Sequence, residues 1–254
     1  MTRPLIRTLG GTAGFGDDFL AANDDGSTAP ISVSSIFENG LNFFGTVYDT
    51  LWINNNGSVT FNSRLGSYTP TTISEGTTPG IFPFWADVDT RGVTGNVSPG
   101  GTSQGTNLVW YDLDSSNDRF VVTWDDVGFY SSNSSLQNAF QLILEDASND
   151  FGRTTGDFDI EFRYENVDWT TGNASGGVDG LAGPTGRPAR AGYSSDTGVF
   201  FELPQSGLET ALLQLADTPG NTGEDGLWRF EVRNGEVPKS ISIISNGDVL
   251  EGDT

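Results

Sequence analysis

The chain has 254 residues, with 12 basic against 34 acidic side chains and a formal net charge of −22. Such a charge excludes nucleic acid and anionic membrane surfaces as partners. With no Cys and no His, the chain also lacks disulfides, thiol nucleophiles, thiolate or imidazole zinc sites and every His-dependent triad.

The chemistry that remains open runs on carboxylates, hydroxyls, a few Arg, or a hard cation held by oxygen. The 17 Phe and 6 Trp supply bulk for a core, and the 34 Gly are scattered among Asn, Asp, Ser and Thr. That is turn chemistry repeated along the chain, and it predicts short strands joined by frequent turns. No apolar run approaches the ~20 residues that span a bilayer, so direct membrane insertion is not expected. The start, Met1-Thr2-Arg3-Pro4, carries no hydrophobic signal region. The chain is therefore read as a piece of something larger, or as a protein exported through a C-terminal signal.

In chain order, residues 1–13 read as an N-terminal arm in which Leu5 and Ile6 could add an edge strand. Gly14–Gly26 is a loop dense in oxygen donors; its Asn23-Asp24-Asp25-Gly26-Ser27 resembles part of a calcium loop without the full EF-hand spacing. An Asx-rich turn is the alternative reading. Ile31–Phe37, Leu41–Phe44 and Gly45–Ile53 read as strands. Asn54-Asn55-Asn56-Gly57 is a hairpin turn, because Asn-Gly readily takes positive φ, and Ser58–Phe61 is the returning strand. Thr69–Gly80 is a loop.

Ile81-Phe-Pro-Phe-Trp-Ala-Asp-Val-Asp89 feeds an aromatic block into two acids. Alternation puts Asp87 and Asp89 on one side of an extended strand, about 7 Å apart. They read either as the polar end of a core strand, with the acids capping turns and pairing with Arg91, or as calcium ligands. Thr90–Thr106 is predicted as an exposed loop, with alternating strands at Asn107–Asp112, Arg119–Asp125 and Ala139–Glu145. Asp157–Tyr164 alternates most cleanly, with Phe158, Ile160, Phe162 and Tyr164 against Asp157, Asp159, Glu161 and Arg163; its acids are expected on a solvated face. Val167–Gly177 is a loop around Trp169. Ala189–Ser194 and Gly198–Leu203 are short strands, Leu208–Leu215 the one helical turn, and Gly226–Arg233 the closing strand. The predicted fold is an all-β antiparallel sandwich with long Gly/Asn/Ser-rich loops and at most one or two short helices.

Several blocks in order resemble one family: Phe43–Gly57, Pro83–Arg91, Val122–Tyr130, Asn138–Leu144, Trp169–Gly177, Ala191–Tyr193 and Gly226–Phe230. Together they are similar to the NIDO (nidogen-like extracellular) domain over roughly 43–232. The resemblance implies an extracellular, non-enzymatic, β-rich module of matrix and cell-surface proteins, spanning here 14–235. The absence of Cys and the Gly14–Leu20 and Asn23–Ser27 blocks look like bacterial, adhesin-type members of the family. Residues 236–254 read as a linker and, in Leu250-Glu-Gly-Asp-Thr254, the opening of a Calx-β-like module.

The functional expectation is an interaction or adhesion module of a larger secreted or surface protein, stabilised by calcium at Asp24, Asp25, Asp87 and Asp89. Its partners would be an extracellular protein or glycan and neighbouring domains of the same chain. The alternative is a carbohydrate-binding module that stacks sugars on Trp169 or Tyr130, with Tyr68 and Tyr193 as further candidates. A third reading, a carboxylate glycosidase, would use Asp125 with Asp126, or Glu161 with Asp159. Asn-x-Ser triplets at Asn56, Asn96, Asn133 and Asn173 are frequent by chance in so Asn- and Ser-rich a chain.

Overall fold

The computed structural model describes residues 3–237, so the expected Calx-β-like segment lies outside the described residues. The strands are β1 (Asp18–Leu20), β2 (Ile31–Ser32), β3 (Leu41–Phe43), β4 (Thr46–Tyr48), β5 (Thr50–Asn54), β6 (Ser58–Thr60) and β7 (Gly80–Trp85). They continue with β8 (Leu108–Asp114), β9 (Arg119–Phe129), β10 (Asn133–Asp146), β11 (Phe158–Val167), β12 (Arg190–Ser194), β13 (Phe200–Glu202) and β14 (Leu227–Val232). One helical turn, α1 (Glu209–Leu212), and a single 3-10 turn at Asn173–Ser175 accompany them.

Two six-stranded antiparallel sheets form the sandwich, in the orders β1-β8-β9-β10-β11-β14 and β13-β12-β7-β6-β5-β2. Period-two alternation decides which side chains meet between them. From the first sheet come Phe120, Val122, Trp124, Phe140, Leu142, Phe158, Ile160 and Phe162, all with zero exposure; Phe84, Ile53 and Val59 answer from the second. Trp124 stacks on Phe140 at 4.9 Å, and Phe84 meets Phe140 at 5.4 Å. Tyr164 crosses the interior to donate its hydroxyl to the Pro83 carbonyl at 2.6 Å.

The outer face of the first sheet is covered rather than solvated, and this overturns three expectations. The N-terminal arm adds no edge strand. It lies across the face, where Gln141 offers an amide in place of a strand: Ile6 N–H donates to Gln141 Oε1 at 2.8 Å and Gln141 Nε2 donates back to the Ile6 carbonyl at 2.9 Å. Leu5 and Leu9 then bury beside Trp110, Val121 and Ile143. The loop after Thr90 is not freely exposed either, because its backbone N–H groups are donated to acids of the sheet. Those acids are Asp125, Asp126 and Glu165. Finally, Asp157 and Asp159 of the cleanest amphipathic run are buried. Asp159 is held by Arg229 and Arg233, long side chains that roof the strand face with their stems.

Two predicted strands are shorter than read. Ile31–Phe37 keeps only β2 before turning, and Gly45–Ile53 is divided into β4 and β5. The hairpin at Asn54–Gly57 stands as expected: Asn54 pairs with Ser58 and Gly57 has φ +77°. A Cβ at Gly57 would lie 1.8 Å from the Phe84 carbonyl oxygen, so a side chain there is excluded by the neighbouring strand as well as by φ.

A three-carboxylate candidate cation site

The Asn54–Gly57 turn does more than reverse the chain. Asn55 Nδ2 donates to the carbonyls of Asp24 (2.5 Å) and Val88 (2.7 Å), and Asn55 N–H donates to the Gly26 carbonyl at 2.9 Å. Asn56 accepts the Val88 N–H through Oδ1 at 2.9 Å and donates through Nδ2 to Asp25 Oδ1 at 2.8 Å. Both asparagines are buried, and their amides brace the early acidic loop against the segment that follows β7. An Asx turn, Gly26 N–H to Asn23 Oδ1 at 2.6 Å, shapes the loop itself.

That arrangement brings carboxylate oxygens of Asp24, Asp25 and Asp87 within 4.8 Å of one another. Asp87 lies beyond the end of β7 and is 1% exposed. Its backbone is pinned by the Tyr130 N–H, which donates to the Asp87 carbonyl at 3.1 Å. Neither oxygen of the Asp87 carboxylate has a hydrogen-bond partner, and Asp24 Oδ1 is likewise buried without one. Unpartnered buried carboxylate oxygens are costly and rare. Burial, then the charges of Asp24 and Asp25, push the Asp87 carboxyl up to about 7; the N–H groups of Ala174 and Ser175 offset part of this without reaching hydrogen-bond geometry. Asp24 is raised as well, by burial and by Asp89 and Asp25, against the opposing effect of Arg91. Gly172 lets the backbone pass close by: a Cβ there would sit 2.4 Å from Asp87 Oδ2.

Asp89 does not join the cluster. It accepts from Arg91 N–H (3.0 Å), Arg91 Nε (2.8 Å), Arg91 Nη2 (2.6 Å) and Ser132 N–H (2.7 Å). Burial works against its ionised form, but the Arg91 and Ser132 hydrogen bonds and the Arg91 charge outweigh it and hold its carboxyl below the usual range. Asp89, expected beside Asp87 as a ligand, is instead paired with the arginine two residues on, the alternative that the sequence left open.

The three acids open on a cavity of about 190 Å³ that is also lined by Tyr68, Tyr130 and Ala174. Tyr130 is therefore at the site. Trp169 is not an exposed platform: it has zero exposure, packs edge-on to Phe84 at 5.9 Å and donates Nε1 to the Val127 carbonyl at 2.9 Å. Tyr193 is buried too. The proposed glycosidase pairs are committed elsewhere. Asp125 accepts from Gln104 and Thr106, and Asp126 from Ser98 and Gly105. Burial pushes Asp125 up to about 6 against those hydrogen bonds. Glu161 pairs with Arg163. A larger groove of about 1250 Å³ between β13 and β14 is lined largely by apolar residues such as Tyr193, Phe200, Phe201 and Phe230.

The donor set is all oxygen, which suits a hard cation rather than zinc or copper. Oxygens that share one calcium at 2.3–2.6 Å can be at most about 5 Å apart, and the cluster meets that limit. The residues present thus fit calcium. The brace formed by Asn55 and Asn56 was not foreseen from the sequence, although three consecutive asparagines beside two acidic segments carry the signal.

Comparison with known proteins agrees with the fold and its motifs. The nidogen-like domain model matches residues 49–234. Human alpha-tectorin is 33% identical over 244 residues, covering 89% of this chain and 10% of that protein. Drosophila melanogaster nidogen is 29% identical over 235 residues (84% of this chain, 16% of that protein). Caenorhabditis elegans dendrite extension defective protein 1 is 27% identical over 230 residues (84% and 17%). The chain thus spans only 10% to 17% of the length of these relatives. No solved structure shows significant similarity. The three relatives are animal proteins, and the bacterial adhesin-type affiliation inferred from the missing cysteines finds no support among them. The family itself is shown by the match: this chain belongs to the nidogen-like (NIDO) domain family.

Proposed function

We propose that the chain is a non-enzymatic extracellular interaction module within a longer protein, stabilised by one calcium ion held by Asp24, Asp25 and Asp87. The observation that carries the calcium reading is Asp87, a carboxylate 1% exposed whose two oxygens have no hydrogen-bond partner and face two further acids. A cation would satisfy those oxygens and hold the early loop, the end of β7 and the Asn173–Ser175 turn together. Membership of the nidogen-like family supports the extracellular setting, and the net charge of −22 directs partners away from polyanions. Partners in this reading are extracellular proteins or glycans and neighbouring domains of the same chain.

Thermal unfolding of the chelator-stripped protein tests the reading. Calcium at ~100 times its dissociation constant adds about 2.7 kcal/mol, or roughly 5–10 °C for a domain of this size. Asp87→Ala abolishes the shift. Equal responses to calcium, magnesium and sodium chloride, or a calcium shift retained in Asp87→Ala, would overturn it.

A further inference from the structure

We infer that the ion at Asp24, Asp25 and Asp87 also serves as a binding point for a neutral carbohydrate diol, with Tyr68 and Tyr130 as the walls of the sugar subsite. This rests on the calcium reading above and adds a ligand class to it.

Coordination comes first. Three carboxylates supply three to six of the six to eight oxygens calcium takes. Asp25 is exposed and the site opens on a cavity rather than closing over, so positions on the ion remain for oxygens from outside. Charge then selects among them. Asp24, Asp25 and Asp87 carry one negative charge more than a divalent ion neutralises. Arg91 Nη2 reaches Asp24 Oδ2 at 2.8 Å, but the same guanidinium is bound to Asp89 through Nε and Nη2, so its one charge is shared: four carboxylates with one arginine and one divalent ion still leave a net charge of −1. A carboxylate or phosphate ligand would approach a site that is still net negative on a strongly acidic domain. Paired hydroxyls bring coordinating oxygen without charge, and replacing two bound waters with one diol releases them to bulk.

The walls suit a sugar ring. Tyr68 is 39% exposed and Tyr130 half-buried, and both line the cavity with the acids. Each offers an apolar ring body beside a polar tip, a surface matched to the mixed C–H and O–H faces of a pyranose. The backbone at both is held in advance. The chain before Tyr68 is fixed by Trp85 Nε1 donating to the Ser67 carbonyl at 2.8 Å. The carbonyl of Tyr68 accepts from Ser175 Oγ at 3.2 Å, and that of Tyr130 accepts the Asn173 N–H at 3.1 Å. Little backbone ordering is left for binding to impose. A volume of about 190 Å³ takes the edge of one ring, not a polypeptide segment.

The test is isothermal titration of the full chain. Calcium is titrated alone first, then methyl α-mannoside, methyl β-galactoside and fucose are titrated separately in millimolar calcium and in chelator, with sodium acetate as the anionic probe. At least one sugar binds in calcium and none in chelator. Tyr68→Ala weakens that sugar about two- to tenfold while the calcium-induced melting shift stays as in the wild type. If calcium binds and no sugar does, if acetate binds in their place, or if a sugar binds equally in chelator, the carbohydrate inference is overturned and the calcium reading stands. If calcium itself does not bind, the calcium reading falls and takes this inference with it.

Discussion

Asp87→Asn is the substitution that most directly interrogates the cluster. It keeps the shape of the side chain and removes its charge. Burial beside Asp24 and Asp25 lifts the Asp87 carboxyl to about 7 from a reference of 3.8. The unfolded chain therefore releases this proton first as pH rises, and the folded state binds more protons between about pH 4 and pH 7. With a raised carboxyl pKa, stability falls across that window and the full loss is present above it. The nominal size is about 4 kcal/mol, from 1.36 kcal/mol per pH unit; screening in a cavity open to water reduces the expectation to about 1–3 kcal/mol. In chelator at pH 8, Asp87→Asn should thus be more stable than the wild type by about 1–3 kcal/mol, with the difference closing toward pH 4. Saturating calcium should close or reverse the difference, since the wild type gains about 2.7 kcal/mol at 100 times the dissociation constant and the variant gains almost nothing. Urea unfolding followed by tryptophan fluorescence at pH 4.5, 6 and 8, with and without calcium, reads all of this. A variant that is destabilised equally at every pH would refute the reasoning, because Asp87 would then be a structural acceptor and not an unsatisfied charge.

Further substitutions separate the site from its scaffold. Gly172→Ala drives a methyl group to within 2.4 Å of Asp87 Oδ2 and should weaken calcium binding at least about tenfold, about 1.4 kcal/mol, measured by titration. Asn55→Ala removes the amide that ties Asp24 to Val88; a stability loss of about 1–3 kcal/mol in urea unfolding is expected, together with weaker calcium binding. Trp169→Ala empties a site of zero exposure and should cost about 3–5 kcal/mol, identically in calcium and in chelator. Asp159→Ala removes the closer and more buried of the two carboxylates paired with Arg233, leaving Glu231 at 3.3 Å; a loss of about 1–3 kcal/mol that calcium does not restore is the expected outcome.

Much of the fold was legible because the signals were local. Asp157–Tyr164 alternates so cleanly that its inward set, Phe158, Ile160, Phe162 and Tyr164, is completely buried. Asn56-Gly57 marks its turn through the positive φ that Gly57 takes. What the pattern misled was the other face of the same strand. Period-two alternation separates apolar from polar side chains, but it carries no information about what covers the polar ones. Asp159 is buried by Arg229 and Arg233, which lie some 70 residues along the chain, and Gln141 is spent on an arm that sequence places far from β10. Polar residues on an outer face look the same in sequence whether water or another segment covers them.

The site shows the same division between what neighbours in sequence decide and what contacts across the fold decide. Asp24, Asp25, Asp87 and Asp89 were all visible as candidates because calcium chemistry selects a residue type. Which of them stay free is decided by cations and amides elsewhere. Arg91 removes Asp89 from the set by a contact only two residues away, a competition that the spacing Asp-x-Arg already exposed to view. Asp87 remains free because the groups around it are two more acids, two tyrosines and Ala174, a neighbourhood assembled from four separate segments. Trp169, placed in a polar loop by sequence, is drawn inward because Asn138 Oδ1 accepts its backbone N–H and its indole N–H finds the Val127 carbonyl. The acids offer cation ligands by composition, while the asparagine brace at Asn55 and Asn56, with the Thr90–Asn23 hydrogen bonds and the Arg91–Asp24 ion pair, brings three of them within 4.8 Å of one another. Two buried asparagines thus hold carboxylates together against their mutual repulsion, and that repulsion is what the proposed calcium ion would answer.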